Sequence, residues 1–252
     1  MGNRFFLTKP YFYGKSSWQP LADSLRRHSH NLWLAKEMFP SHKIFAHRGL
    51  HSKSVEANSI LAIENALSMG FSVETDIRDS HGLVVVEHDP PKDSAGSHNL
   101  LSAVLAINRD SEQTLALNVK SDGLLGLLGE KALGNHFFFD MSAAETVKFR
   151  SASATVAIRV SEYESIAGAI PGINAFWVWL DSFEGDWFLT NDIGVDFLGK
   201  STVVVSPELH GRKPQKVWNW VTSQHLKGND VSICTDLPNE FLEYFEEYSV
   251  SK

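Results

Sequence analysis

Short apolar runs alternate with polar turns and amphipathic stretches along most of this chain. The runs are rich in β-branched and aromatic residues, which is typical of buried strands. They predict strands at Lys43–Ala46, Ser72–Ile77, Leu83–Glu87, Leu115–Lys120, Phe137–Asp140, Val156–Val160, Phe176–Leu180, Thr202–Val205 and Val231–Cys234. Apolar positions spaced for a helix lie between them and predict helices at Ser59–Met69, Gly123–Leu133, Ala143–Ser151 and Pro214–His225.

This alternation of strands and helices predicts the fold class. Leu83–Glu87 follows the preceding strand so closely that we expect it to return as a hairpin or to extend that strand. Eight strands then remain in a chain of 252 residues, which is the size of an α/β protein with a (β/α)8 TIM-type barrel. An open doubly wound sheet would carry a Gly-rich phosphate turn after its first strand. His47-Arg48-Gly49 is not such a turn.

The barrel is expected to occupy residues 43–252 as a single domain. Residues 1–42 contain leucines spaced loosely at helical intervals, and we interpret them as an N-terminal extension that packs on the barrel. This N-terminal stretch lacks the pattern of a signal peptide, and no run reaches the roughly 18 apolar residues that a membrane span needs.

Composition narrows the class of partner. The chain has a net charge of −7 and no basic run, which argues against a nucleic-acid surface. Its single cysteine, Cys234, cannot form an internal disulfide, so a reducing compartment suits it. We therefore expect a cytoplasmic protein whose partner is a small molecule, with no nucleic acid and no membrane span.

Two carboxylates, Glu74 and Asp76, lie two positions apart on a predicted strand. Strand residues at this spacing point to the same face, so their charges would repel each other unless a cation lay between them. Oxygen ligands of this kind suit a divalent cation. An isolated pair would more often be exposed acids on an edge strand, but this pair lies close in the sequence to His47 and His88.

His47 directly follows the apolar run Ile44-Phe45-Ala46, and His88 follows Val84-Val85-Val86-Glu87. Each histidine therefore lies at a point where a strand leaves for a loop. Barrel enzymes place catalytic groups at such strand ends. Histidine titrates near neutral pH, so two of them beside a metal predict a general acid and a general base. Other histidines lack this position and are interpreted as surface or core residues, His51 and His210 among them.

Taken together, the motifs from residue 47 onward resemble the signature of the glycerophosphodiester phosphodiesterase family, a group of phospholipase C-like phosphodiesterase barrels. Four of them follow in the family's order, and the match continues through Asn118-Val119-Lys120 to Thr235-Asp236-Leu237-Pro238. The first four are His47-Arg48-Gly49, Glu56-Ala57-Asn58-Ser59, Glu74-Thr75-Asp76 and His88-Asp89. Several ordered motifs are far more specific than any one of them.

The resemblance implies a metal-dependent phosphoric diester hydrolase acting on a glycerophosphodiester or a related compound. It implies general acid-base catalysis by His47 and His88, and binding of the substrate phosphate by Arg48 and Lys120. One divalent cation, Mg or Ca with Mn as a further candidate, would be held by Glu74, Asp76 and Asn118. Such a cation and two fixed positive charges would stabilise the charge that develops on the phosphoryl oxygens.

Besides a turn between Asp76 and Gly82 that is one residue shorter than the common pattern, the chain departs from the family at two motif positions. Glu56 lacks the proline that usually precedes it, while Glu56 and Asn58 still qualify as residues that brace the loop. Asn118 stands where the family has a carboxylate, which removes one negative charge from the metal site but leaves an oxygen ligand. Asn118 and Lys120 share strand parity, so both are expected to face the barrel interior.

Two other functions remain open on sequence grounds. A related phospholipase-like barrel could use a hydroxyl of the substrate as the nucleophile and form a cyclic phosphate. A catalytically weak or inactive barrel could bind a phosphate-containing ligand, for which Asn118 is the best argument. Arg159, Glu162 and the segment Ser206–Gly211 are further candidates for substrate contact. Trp177 and Trp179 could line the barrel mouth or fill the core, and the core is the commoner place for tryptophan at this spacing.

Overall fold

The structure is a computed structural model, and it describes residues 38–91, 100–109, 111–128, 135–164, 177–190 and 201–250. Residues from Phe39 onward form one compact unit. The extension predicted over residues 1–42 therefore lies largely outside the described residues. No helix in the described part of the chain is long and apolar enough to cross a membrane.

Within the described residues, eight parallel strands and one antiparallel strand form the sheet. They are β1 (Ile44–His47), β2 (Ser72–Ser80), β3 (Leu83–Val86), β4 (Leu115–Val119), β5 (His136–Phe139), β6 (Ala157–Val160), β7 (Trp177–Leu180), β8 (Ser201–Val205) and β9 (Val231–Thr235).

The parallel strands follow the order β5-β4-β2-β1-β9-β8-β7-β6, and a parallel bridge between Phe138 and Val156 joins the two ends of this sheet. The barrel is therefore nearly closed, which confirms the predicted (β/α)8 fold.

The antiparallel strand β3 pairs with the outer half of β2 as a hairpin, as the sequence predicted. His81 and Gly82 form its turn, and both have positive φ angles, 48° and 78°. Two-residue turns with positive φ at both positions match the twist of the flanking strands. The hairpin extends β2 beyond the barrel. At His88 it returns the chain to the barrel mouth, which is the opening at the carboxyl ends of the parallel strands.

Helices follow the strands and cover the outside of the barrel. They are α1 (Ile60–Ser68), α2 (Leu101–Ile107), α3 (Leu125–Leu128), α4 (Ala143–Ser151), α5 (Trp187–Thr190), α6 (Gln215–Leu226) and α7 (Pro238–Val250), with 3-10 turns at Ser41–Lys43 and Pro207–His210. Ser59 and Ser142 cap α1 and α4 by accepting hydrogen bonds from Ala62 and Glu145 backbone N–H groups. Such caps satisfy amide groups that lack a partner within the helix.

Two apolar layers hold the barrel together. One lies between the strands and the surrounding helices. The other fills the interior and contains Phe45, Ala116, Phe137, Trp179 and further residues at the same strand parity. Trp179 stacks on Phe139 with ring centroids 4.0 Å apart, which confirms its expected place in the core.

Candidate active site

The polar side chains of the candidate site face the barrel interior, as the apolar interior layer does, but they lie two residues further along their strands. On β1 the buried Phe45 is followed at the same parity by His47, and on β4 the buried Ala116 is followed by Asn118. The strand register sets His47 beside Glu74 and Asp76 beside Asn118. These residues meet at the carboxyl end of the parallel strands, where barrel enzymes place their active sites.

Glu74 and Asp76 are almost fully buried, each with 1% of its surface exposed. Burial, together with the neighbouring charge of Asp76, raises the pKa of Glu74 to about 7. The Asp76 carboxylate is balanced by two cations, because Arg48 Nε lies 3.0 Å from Oδ2 and Lys120 Nζ lies 3.2 Å from Oδ1. The predicted common orientation of the two acids is confirmed.

Asn58 braces the acidic strand from the loop before α1. Its side-chain amide donates to Asp76 Oδ2 at 2.8 Å, and its carbonyl oxygen accepts from the Thr75 hydroxyl at 2.8 Å. Asn58 has a φ of 62°, a left-handed conformation that asparagine tolerates better than most residues. The bracing role predicted for Asn58 is therefore confirmed.

The turn His47-Arg48-Gly49 holds the first strand close to α1. The Arg48 backbone N–H donates to the Glu74 carbonyl at 2.8 Å, and Gly49 has a φ of 80°. A Cβ atom on Gly49 would lie 2.6 Å from the carbonyl carbon of Ala62. Glycine is required at this position both for its backbone conformation and for the close approach of the helix.

His47 is oriented by a residue that directly follows the last strand. Its Nδ1 lies 2.8 Å from Asp236 Oδ1, and the same oxygen lies 3.1 Å from His51 Nε2. Burial lowers the pKa of His47, but the hydrogen bond to Asp236 and the charges of Glu74 and Asp236 outweigh it, so the pKa is raised. The histidinium form of His47 is thus favoured by its surroundings.

Asn118 and Lys120 both face the barrel interior, as their shared parity predicted. The side chain of Asn118 forms a hydrogen bond with Glu74, which lowers the pKa of that acid and partly offsets the effect of burial. Its Oδ1 atom is buried and accepts no hydrogen bond from the described residues. Lys120 Nζ, besides its contact with Asp76, lies 3.8 Å from Asp140 Oδ2.

The oxygen donors of Glu74, Asp76 and Asn118 fit a hard divalent cation. Two of them are carboxylates, and the third is the unpartnered amide oxygen of Asn118. Mg²⁺ and Ca²⁺ bind carboxylate and amide oxygens. A second group that could hold a metal, namely His47, His51 and Asp236, offers two imidazoles and one carboxylate.

His88 is at the rim of the mouth and does not directly contact the other predicted site residues in the described structure. The backbone N–H of Glu87 donates to the Asp76 carbonyl at 3.1 Å, which brings this part of the chain back to β2. The His88 side chain pairs with Asp89 at 2.9 Å and is 45% exposed. The hairpin therefore brings His88 to the edge of the site, with its imidazole partly exposed and paired with Asp89.

The other half of the mouth carries polar residues that were harder to identify from the sequence. Arg159 on β6 forms an ion pair with Asp140, which follows β5. Arg159 also forms a bidentate ion pair with Glu164, in which Arg159 Nε lies 2.6 Å from Glu164 Oε2. His210 Nε2 lies 2.8 Å from Asp181 Oδ1, and this aspartate is buried directly after β7.

Of these residues, Arg159 stood out in the sequence because it lies at the end of a strand, and His210 stood out only as part of the candidate substrate segment Ser206–Gly211. His51 and His210 had been interpreted as surface or core residues, and the structure places both of them opposite aspartates at the mouth. Asp140, Asp181 and Asp236 share one signal that could have identified them, since each stands directly or one residue after an apolar strand.

Comparison with known proteins supports the fold. No family model matches the sequence, and no curated protein matches it. The fold is similar to that of an Oleispira antarctica phosphodiesterase solved in complex with the product sn-glycerol-3-phosphate. The TM-score is 0.56 at 16% sequence identity, over 83% of this chain and 96% of that one. The chain thus shares its TIM-type barrel fold with this phosphodiesterase.

Proposed function

We propose that this chain is a phosphodiesterase that hydrolyses a small glycerophosphodiester or a chemically related phosphodiester at the barrel mouth. The observation that carries the proposal is the convergence of the ordered motifs. His47 with its partner Asp236 lies beside Glu74, while Arg48 and Lys120 flank Asp76. The similarity in fold to a phosphodiesterase supports the same reaction type.

Arg48 and Lys120 would hold the phosphate of the substrate. Both cations lie within 3.2 Å of one buried carboxylate, Asp76, so this carboxylate fixes their positions. A phosphodiester monoanion that enters the mouth would be attracted by these two fixed charges. Cations held in place before the reaction stabilise charge on the phosphoryl oxygens at little cost in reorganisation.

His47 would act as the general acid. Its Nδ1–H donates to Asp236, which leaves Nε2 on the side of Glu74, 3.9 Å from Oε2. The favoured histidinium would release its Nε2 proton to the oxygen of the leaving alcohol, much as an aspartate supports the imidazolium in a hydrolase triad. His88, on its loop at the rim, would take the proton from the attacking water. The products would be an alcohol and a phosphomonoester.

Glu74, Asp76 and Asn118 would hold one divalent cation, Mg or Ca, with Mn as an alternative. When bound, such an ion supplies positive charge to the phosphoryl oxygens. Because Asp76 is already paired with Arg48 and Lys120, the protein balances this carboxylate without an ion as well. We also propose a cytoplasmic location and a barrel domain over residues 43–252, to which residues 1–42 are attached as an extension.

The experiment that tests the proposal is an activity screen of the full chain. Bis(p-nitrophenyl) phosphate and a panel of glycerophosphodiesters are supplied with Mg, Mn or Ca, and release of alcohol and phosphomonoester is measured. His81→Asn serves as a matched control, because His81 lies at the exposed hairpin turn with a positive φ that asparagine accepts. Turnover in the wild type and in this control, but not in His47→Ala, is the expected result. Equal turnover in all three proteins would refute the assignment of His47.

The same assay separates hydrolysis from cyclisation. Hydrolysis in ¹⁸O-labelled water places the label in the phosphomonoester product during a single turnover. Attack by a hydroxyl of the substrate would instead give a cyclic phosphate without label. A chain that binds these compounds without turning them over would be a phosphate-ligand binding protein.

A further inference from the structure

Two histidines and an aspartate converge where the first strand and the last strand lie side by side. Asp236 Oδ1 is 2.8 Å from His47 Nδ1 and 3.1 Å from His51 Nε2. One ligand atom from each of the three residues lies within 4.8 Å of the other two. Within the described residues, no other group of three or more histidine, cysteine or acidic side chains meets this criterion.

We propose that His47, His51 and Asp236 form a transition-metal site, with Zn²⁺ as the best fitting ion, separate from the all-oxygen donors of Glu74, Asp76 and Asn118. Two imidazole nitrogens and one carboxylate are ligands that Zn²⁺ accepts, whereas Mg²⁺ and Ca²⁺ prefer oxygen ligands alone. Three protein ligands leave one tetrahedral position for water.

The surroundings of the three ligands also suit a metal. A histidine that binds a metal through one nitrogen usually donates the other N–H to a carboxylate. His47 would bind through Nδ1, and its Nε2 faces Glu74 Oε2 at 3.9 Å. The loop that carries Asp236 is fixed by Glu208, which accepts hydrogen bonds from the Asp236 backbone N–H and the Thr235 hydroxyl.

The cluster is open to ions from solution. The side chains of His47, His51 and Asp236 are 22%, 30% and 36% exposed, so an ion reaches them without unfolding of the barrel. The pair of His210 and Asp181 offers a comparison within the same molecule, because it has the same 2.8 Å separation but only one histidine. A site that needs three ligands should form at His47, His51 and Asp236. It should not form at the pair of His210 and Asp181.

The proposed site has a consequence for activity, and this part rests on the proposed function. A metal on His47 Nδ1 prevents the imidazolium from forming, because that nitrogen no longer carries a proton. Zn²⁺ would therefore inhibit a phosphodiesterase that uses His47 as its general acid. His51 has no role as acid or base in the proposed reaction, so its removal should abolish the inhibition.

The binding experiment uses the full metal-free chain. Zn²⁺ is titrated by calorimetry, and Co²⁺ is titrated by its visible absorption, which reports four-coordinate ligation. We expect one strong site in the wild type and at least about tenfold weaker binding in His51→Ala, since even loss of an outer-shell partner costs 10–100-fold. His210→Ala, the matched control, should bind as tightly as the wild type. Equal affinity in the wild type and in a folded His51→Ala would overturn the site, and His51→Gln replaces that variant if circular dichroism shows that it has unfolded.

The activity experiment adds Zn²⁺ to enzyme assayed with Mg²⁺ and a glycerophosphodiester. We expect inhibition of the wild type at Zn²⁺ concentrations that leave His51→Ala active. Tight Zn²⁺ binding without any inhibition would overturn the inhibitory role. A wild type that is inactive under every condition would contradict the proposed function instead, and the titrations decide the metal site without reference to activity.

Discussion

Gly49→Ala tests whether the turn after the first strand requires glycine for the two reasons given by its geometry. The first reason is its φ of 80°, and the second is the helix backbone, which a Cβ atom would approach to 2.6 Å. Gly82 has a similar φ of 78°, but a Cβ atom there would meet nothing within 4 Å. The two substitutions therefore share the backbone strain and differ in the contact.

The magnitudes can be worked out for each substitution. A left-handed conformation costs an ordinary residue about 1–2 kcal/mol. An atom forced into a well-packed region typically costs a further 1–3 kcal/mol or so. We therefore expect Gly82→Ala to lower the free energy of unfolding by about 1–2 kcal/mol and Gly49→Ala by about 2–5 kcal/mol. At about 2–4 °C per kcal/mol, this difference should be visible in the melting temperature.

Urea denaturation followed by circular dichroism measures both variants against the wild type. The informative quantity is the difference between the two variants, because the backbone strain cancels in it. If Gly49→Ala proves no less stable than Gly82→Ala, the helix does not press on the turn, and the packing argument for this glycine is refuted.

Glu74→Gln should raise the free energy of unfolding of the metal-free chain at pH 8 by about 3 kcal/mol. Folding raises the pKa of Glu74 from 4.5 to about 7, so the ionised carboxylate destabilises the folded chain increasingly as the pH rises from 4.5 to about 7. Glutamine cannot ionise and removes this destabilisation. Urea titrations at pH 4 and pH 8 should show the gain only at the higher pH. Asp236→Asn should lower the pKa of His47, as measured by NMR. Since that pKa is raised in the folded wild type, the stability it contributes is present below the ordinary value and is lost as pH rises through the raised one. His47→Ala and His88→Ala should each lower turnover by about 10²–10⁴-fold, and normal turnover in either would remove that histidine from the mechanism. Chelation by EDTA should abolish activity, and full activity in EDTA would exclude an essential metal. Asn118→Asp should tighten Mg²⁺ binding by adding a charged ligand, whereas equal affinities in a calorimetric titration would place Asn118 outside the metal site.

The barrel and one half of its mouth could be predicted from the sequence because both depend on local patterns. Apolar runs fix the strands, and the period of two fixes which residues face inward, so Glu74, Asp76, Asn118 and Lys120 could be assigned to the interior. The turn that returns β3 onto β2 is equally local.

Contacts between distant parts of the chain could not be predicted in this way. Asp236 is 189 residues from His47 in sequence, and only closure of the barrel brings them together. His51 lies on a loop and His210 in a short 3-10 turn, and no periodic pattern in the sequence distinguishes their side chains from those of surface histidines. For His88 the sequence predicts the strand end correctly but not the direction of its side chain, which turns toward Asp89.

The pairing of β1 with β9 has a consequence for the order in which the protein matures during synthesis. The strand that ends in His47 is made early, but the aspartate that orients this histidine follows β9, near the end of the described chain. A ribosome-bound chain without β9 would hold an unoriented histidine beside an open sheet edge. Such a nascent chain would not have a complete candidate active site. The site would form only after β9 has been synthesised and has paired with β1.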